Sequence, residues 1–468
     1  MLFERLSGNC RQLLYAFCYG FLIDFLYKKP QKSRNSSMSQ IAEAAQREPR
    51  SISHYMRVLG PGILGAAAAI GGSHLVASTQ AGAIYGWQLV GLILLVNLLK
   101  YPFFQIGARY TMAANESLIQ GYDRIGRGYL RLFTLLNLFS SVVSTAGVAM
   151  LCGSILGLFI GDSLSVTQLS MIVLAGSLAF LITGHYRTLD SVTKWIIVGL
   201  AIATVTAVFI ALNRGGVATP DFVAPSPWNL ASVGFLVALM GWMPAPIELS
   251  SWNSVWLRQK QKDLGGTLEY KDALVDFNVG YVTSTLLALA FVALGTLVLH
   301  GSGETLATSG IAFAHQLVNV YASVMGEWSR WLIAIVAFLC MFSTTVTVLD
   351  GYSRALSECF VQFGQLQGSG PTGNGARFTY PLMIAMGVVA ALIIMFFKGA
   401  LLAMLEFAMI SAFISALVFA WLNLRLMRLP QVPERYRLGK GMVALSRVGI
   451  LFFAGFNLLF GYWYLFVK

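Results

Sequence analysis

A chain of 468 residues that is 57% hydrophobic and 11% charged, with a mean hydropathy of +0.69, lies far from a soluble domain, where about a quarter of residues are charged. The net charge of +12 does not mark a nucleic-acid binder, because the basic residues sit in short segments between apolar runs, as in the cytoplasmic loops of membrane proteins. Five scattered cysteines (Cys10, Cys18, Cys152, Cys340 and Cys359) show no CxxC or metal spacing, so neither a disulfide framework nor a zinc site is expected. No nucleotide-binding motif is found, and no cofactor or enzymatic activity is expected.

Residues 1–57 are basic and irregular and read as a cytoplasmic extension, with one membrane domain over 58–468. Within the extension, Leu13–Tyr27 is apolar but short and is interrupted by Asp24. It lacks the small-residue cleavage site of a signal peptide. Met38 opens a polar, helix-like stretch and is a candidate start of translation, which makes residues 1–37 an upstream extension. An interfacial anchor helix is the alternative.

Eleven runs of bilayer-spanning length follow, at 60–84, 87–112, 128–160, 166–184, 190–212, 230–258, 272–300, 326–350, 379–397, 399–427 and 443–466. Residues 303–325 read as an additional amphipathic helix on the outer side, and the Gly-rich 361–378 as a flexible inner loop. With the N-terminus inside, 27 of the 32 Lys and Arg residues fall on the inner side and 4 on the outer. That bias predicts a cytoplasmic N-terminus and an external C-terminus in a bacterial inner or plasma membrane.

Two spans carry helix-breaking chemistry near their centres. In the first, Gly71 and Gly72 are followed by Ser73 and His74; in the sixth, Pro244 and Pro246 flank Ala245, between Met243 and Glu248. Proline removes a backbone donor and clashes with the preceding turn. Irregular backbone at membrane depth is tolerated only where it is buried or lines a cavity. Interrupted spans at matching positions of two halves point to a transporter's binding site. Spans 1–5 and 6–10 then form an inverted 5+5 repeat, with span 11 added, in an all-α membrane protein.

The segments Leu59-Gly60-Pro61-Gly62 and Gln80-Ala81-Gly82-Ala83-Ile84-Tyr85-Gly86, together with Met243-Pro244, resemble the natural resistance-associated macrophage protein (NRAMP) family of divalent-metal transporters over roughly residues 55–466. The resemblance implies a leucine-transporter-like fold that works by alternating access. The family's metal-binding Asp-Pro-Gly-Asn motif is replaced here by Gly71, Gly72, Ser73 and His74, and its Met-Pro-His by Met243, Pro244 and Ala245. The position of a further family histidine is Ser250. Span 3 lacks the family's acidic residues and span 9 its arginines.

The expected solute site comprises Gly71, Gly72, Ser73, His74, Met240, Met243, Ala245 and Glu248. His74, Met243 and Glu248 are the candidate metal ligands; Lys100, Glu248 and His74 are the candidates for coupling. Lys100, in mid-span 2, has Glu248 as its expected ionic partner, because a charge at that depth needs compensation. Glu406 reads as a rim residue, and Asp276 and Asp350 as caps near inner span ends. The expected function is secondary transport of a small solute or ion across the lipid bilayer. An altered metal site is one form. A carrier of a small organic acid or zwitterion, meeting backbone N–H groups at the glycine break, is the second. A transporter-shaped sensor that moves nothing is the third. The oligomeric state and the direction of transport are left open.

Overall fold

The computed structural model describes residues 59–467 except 184–185, 220, 305, 308, 365–374 and 398–399. The N-terminal extension, with its candidate start and anchor, lies outside these residues, as does most of the expected 361–378 loop.

The regular elements among the described residues are all helices. Span 1 is α1 (Pro61–Ala69), a π-helical turn (Ser73–Ser78) and α2 (Thr79–Tyr85); span 2 is α3 (Val90–Ala114). A short α4 (Leu118–Ile125) leads to α5 (Arg127–Ile160), α6 (Val166–Ile182) and α7 (Tyr186–Arg214), spans 3 to 5. Span 6 is divided into α8 (Val233–Trp242) and α9 (Leu249–Asp263), and span 7 is α10 (Tyr270–Val298). Helix α11 (Gly310–Met325) fits the extra amphipathic helix. Spans 8 to 11 are α12 (Ser329–Gly364), α13 (Gly375–Phe397), α14 (Leu401–Leu426) and α15 (Lys440–Phe466). Span 8 continues some fourteen residues past its expected end at 350, so Asp350 lies inside the helix. There its carboxylate accepts from Trp256 Nε1 at 3.1 Å and pairs with Arg354 at 2.8 Å instead of capping an end.

Burial sorts the spans into layers. Helices α5, α10 and α12 are the central ones, with 67–78% of their most apolar windows buried, whereas the corresponding figures are 28% for α7 and α13 and 17% for α15. The peripheral helices turn large apolar side chains outward, among them Trp195, Phe209, Phe396, Leu451 and Leu458. In water such a surface would aggregate; in hydrocarbon it is the solvent-compatible face.

Span 1 rides on α10 through glycines on both sides of its break. A Cβ on Gly62 would fall 2.1 Å from Asp276 O, and one on Gly280 2.2 Å from Gly62 O. Beyond the break, Gly82 meets Val292 O at 2.1 Å and Gly295 meets Thr79 O at 2.2 Å by the same measure. Backbones approach this closely only where a side chain is lacking, a common device of helix packing in membranes.

Candidate functional site between two broken helices

Helix α1 begins on Pro61 with no cap of its own. Its first amides are met from α10, where Asp276 Oδ1 accepts from Gly60 N at 2.9 Å and Oδ2 from Gly62 N at 2.6 Å. Asp276 is thus a cap, but of the neighbouring half-helix and not of its own span. A carboxylate at a helix N-terminus also opposes the positive end of the dipole. The helix ends where Ile70 leaves helical geometry at ψ 72°. A Cβ on Gly71 would lie 2.9 Å from Thr344 Cγ2, and one on Gly72 2.8 Å from the Trp242 ring. Both close approaches depend on glycine.

The chain restarts at Ser73, whose Oγ lies 2.7 Å from Ala69 O and 2.7 Å from His74 Nδ1. His74 Nε2 lies 2.8 Å from the carbonyl oxygen of Ser284 in α10. A carbonyl can only accept, so Nε2 carries its hydrogen and donates. The imidazole therefore ties the π-turn to α10 through Nε2 while its Nδ1 stays on Ser73 at the break. From the other side, Cys340 Sγ donates to Ile70 O at 3.1 Å and Thr344 Oγ1 to Ala67 O at 3.0 Å.

The second break spans residues 243–248 between α8 and α9. In an unbroken helix the carbonyl of Met240 would accept from the N–H of residue 244, which is proline and has none. Lys100 supplies the missing donor. Its ammonium, fully buried, donates to Met240 O at 2.7 Å, Gly241 O at 2.8 Å and Ala245 O at 3.0 Å. This corrects the ion pair expected with Glu248: the three N–H bonds go to carbonyls orphaned by the break. Glu248 Oε1 accepts instead from the Tyr352 hydroxyl at 3.1 Å, which also reaches Ser144 Oγ at 3.3 Å, and Glu248 Oε2 meets no hydrogen-bond geometry with any of the described residues.

Two cavities flank the breaks and share Ala69, Ala245 and Leu249 in their walls. The first, narrow in this conformation, is walled by Gly72, Ser73, Ser144, Trp242, Trp252 and Tyr352 among others. The second opens between Gly62, Phe104, Asn253 and Tyr281. Of the sequence candidates, Gly72, Ser73 and Ala245 line the first cavity. Gly71 packs on Thr344, Met240 and Met243 are wholly buried, His74 faces α10 and Glu248 faces Tyr352. Among the described residues no group of three or more His, Cys, Asp or Glu side chains could hold a metal ion.

Sequence reasoning missed Trp242, Trp252, Ser144 and Tyr352. The available signal was glycine: Gly72 and Gly147 seat the Trp242 ring, and Gly351 seats Trp252, whose ring meets that of Tyr352 at 4.3 Å between centroids.

Two half-split helices in matching positions of two five-helix halves, enclosing a buried cavity, define a secondary transporter of the leucine-transporter type. More narrowly, the model of the natural resistance-associated macrophage protein-like family matches residues 62–462, and the chain belongs to that family. A relative 47% identical over 405 residues, 86% of this chain and 91% of the relative, is the uncharacterized protein PM0681 of Pasteurella multocida (strain Pm70). Among solved structures, a mutant of the manganese transporter of Eremococcus coleocola matches with a TM-score of 0.65 at 12% identity over 90% of this chain and 91% of that one. MhsT in complex with L-phenylalanine matches with a TM-score of 0.58 at 11% identity over 88% and 100%. The chain is thus an integral, multi-pass membrane transporter of NRAMP-like fold.

Proposed function

We propose that this transporter moves a small organic acid or zwitterion by alternating access through the cavity between the two breaks, and that Mn²⁺ or Fe²⁺ with protons is not its cargo. One observation carries this reading. The carbonyls of Met240, Gly241 and Ala245, which could have replaced water around a cation, are all bonded to the ammonium of Lys100. A positive charge stands where a dication would need oxygen ligands. Two like charges in a low-dielectric interior repel strongly, and hard cations need several oxygens to offset dehydration. The fold accommodates organic cargo, since its likeness extends to MhsT with bound L-phenylalanine.

A second reading, altered metal transport, has one observation in its favour besides the family: the unpartnered Oε2 of Glu248. The deciding experiment is uptake into proteoliposomes of Mn²⁺ and of radiolabelled acetate, lactate, benzoate, alanine and proline, by the native protein and Glu248→Gln. Uptake of an organic compound without Mn²⁺ uptake is expected. Robust Mn²⁺ uptake abolished by Glu248→Gln would overturn the organic-solute reading.

A further inference from the structure

A carbonyl oxygen can only accept. The contacts of Lys100 Nζ with Met240 O at 2.7 Å, Gly241 O at 2.8 Å and Ala245 O at 3.0 Å therefore require three N–H groups. A neutral amine has two. The geometry of the span-6 break described above thus belongs to the protonated lysine alone. Without the proton, a lone pair faces one of the three oxygens and repels it. Met240 and Gly241 lie in α8, whereas Ala245 lies in the irregular segment and makes the longest of the three bonds. Ala245 O is the acceptor that can turn away.

Ala245 lines both cavities, so its release changes the walls of the solute path on both sides. The second cavity also supplies a route for the proton. Its wall holds Pro244 and Ala245 beside the ammonium and Phe104 one turn along α3 from Lys100, and it is wide enough for water. Water there would take up the proton that Nζ loses.

The surroundings leave this function to Lys100. The side chain is fully buried, and ionisable groups at such depth mark proton or solute routes. Glu248 supplies the opposite charge from span 6, acting through space. On α10, Asp276 is engaged by the amides of Gly60 and Gly62, and the Tyr281 hydroxyl donates to Asn97 O. The buried residues of α14 and α15, which also pack on α3, include no charged side chain.

We infer that Lys100 couples transport to protons: the bound proton holds the break in the geometry described, and its release frees the Ala245 carbonyl towards the solute path. The inference rests on the chain being a transporter and not on which solute it moves.

The test needs no solute. Gly65 lines the second cavity and has open space for a Cβ, so Gly65→Cys reports on the wall that Ala245 shares. Its reaction rate with a water-soluble thiosulfonate is divided by that of Gly441→Cys, at an open helix end, to correct for ionisation of the thiol. The ratio is expected to rise about threefold or more from pH ~6 to pH ~9, as a local opening would produce. The rise should vanish in Lys100→Arg, which keeps the charge and cannot lose a proton. Carbon-13 labelling of lysine Cε gives the assignment without a variant, should Lys100→Arg fail to fold. The lysine signal that a water-borne paramagnetic agent leaves sharp should move over the same pH range. A flat ratio would overturn the inference. So would a rise that persists in folded Lys100→Arg, or a buried lysine signal that does not move. None of these outcomes touches the organic-solute reading, which the uptake panel decides separately.

Discussion

Lys100 shows how one residue can fix the meaning of a broken helix. Prolines at 244 and 246 deprive α8 of the amides that would satisfy its last carbonyls, and the ammonium fills that gap from α3. The charge is therefore structural in its bonds and electrostatic in its consequence, since it occupies the break as a resident cation. Lys100→Met leaves buried carbonyls without a donor. Removing one member of a buried charged network costs on the order of 3–5 kcal/mol, so a marked fall in the thermal midpoint of the detergent-solubilised protein is expected. An unchanged midpoint would mean that the segment satisfies its carbonyls without the lysine. Gly72→Ala acts differently. The added methyl would sit 2.8 Å from the Trp242 ring, and overpacking of this kind costs about 1–3 kcal/mol. Because that ring walls the cavity, solute affinity should fall together with stability; a drop in stability with affinity intact would separate Trp242 from the site.

At the scale of elements, α1 is a short half-helix held at both ends by its neighbours. At its start Asp276 accepts from Gly60 and Gly62, and Lys194 Nζ donates to Leu59 O at 3.1 Å. At its end Thr344 and Cys340 hold Ala67 and Ile70. Its nine residues make less than three turns, too few for a helix to be stable by itself, so these bonds set where α1 rests. Asp276→Ala removes two of them, and loss of a cap is worth about 0.5–2 kcal/mol. The second cavity should then open more often. Gly65 lines it, and a Cβ there meets nothing within 4 Å. A cysteine introduced at Gly65 should react several-fold faster with a water-soluble maleimide in the Asp276→Ala background. Equal rates would show that Asp276 does not restrain α1.

For the whole molecule, the charge bias sets a testable orientation. The eleven-span order places the turn around Gly216 on the same side as the C-terminal end of α15, and the turn before α15 on the opposite, Lys- and Arg-rich side. We expect a cysteine at Gly216 to be labelled by an impermeant reagent from outside intact cells, and one at Gly441 only after permeabilisation. Cys152, Cys340 and Cys359 are buried and should contribute little background. The reverse pattern would invert the topology.

The spans, the two breaks and the NRAMP-like architecture were legible in the sequence because they follow from local chemistry. A run of apolar residues states its own length, and glycine pairs or prolines disrupt a helix wherever the helix packs. The absence of the family's ligand residues at 71–74 and 245 was equally plain, since it is a matter of residue identity. What the side chains at the site do was not legible. His74 stands beside the break in sequence, yet it is drawn to α10 by the carbonyl of Ser284, 210 positions away. Lys100 was expected to seek a carboxylate and instead takes the carbonyls that proline orphaned. Trp242, Trp252, Ser144 and Tyr352 come from four helices, and nothing in their local sequence joins them. Which donors and acceptors remain open depends on which have been satisfied across helix interfaces, so the polarity of the cavity exists only in the packed structure.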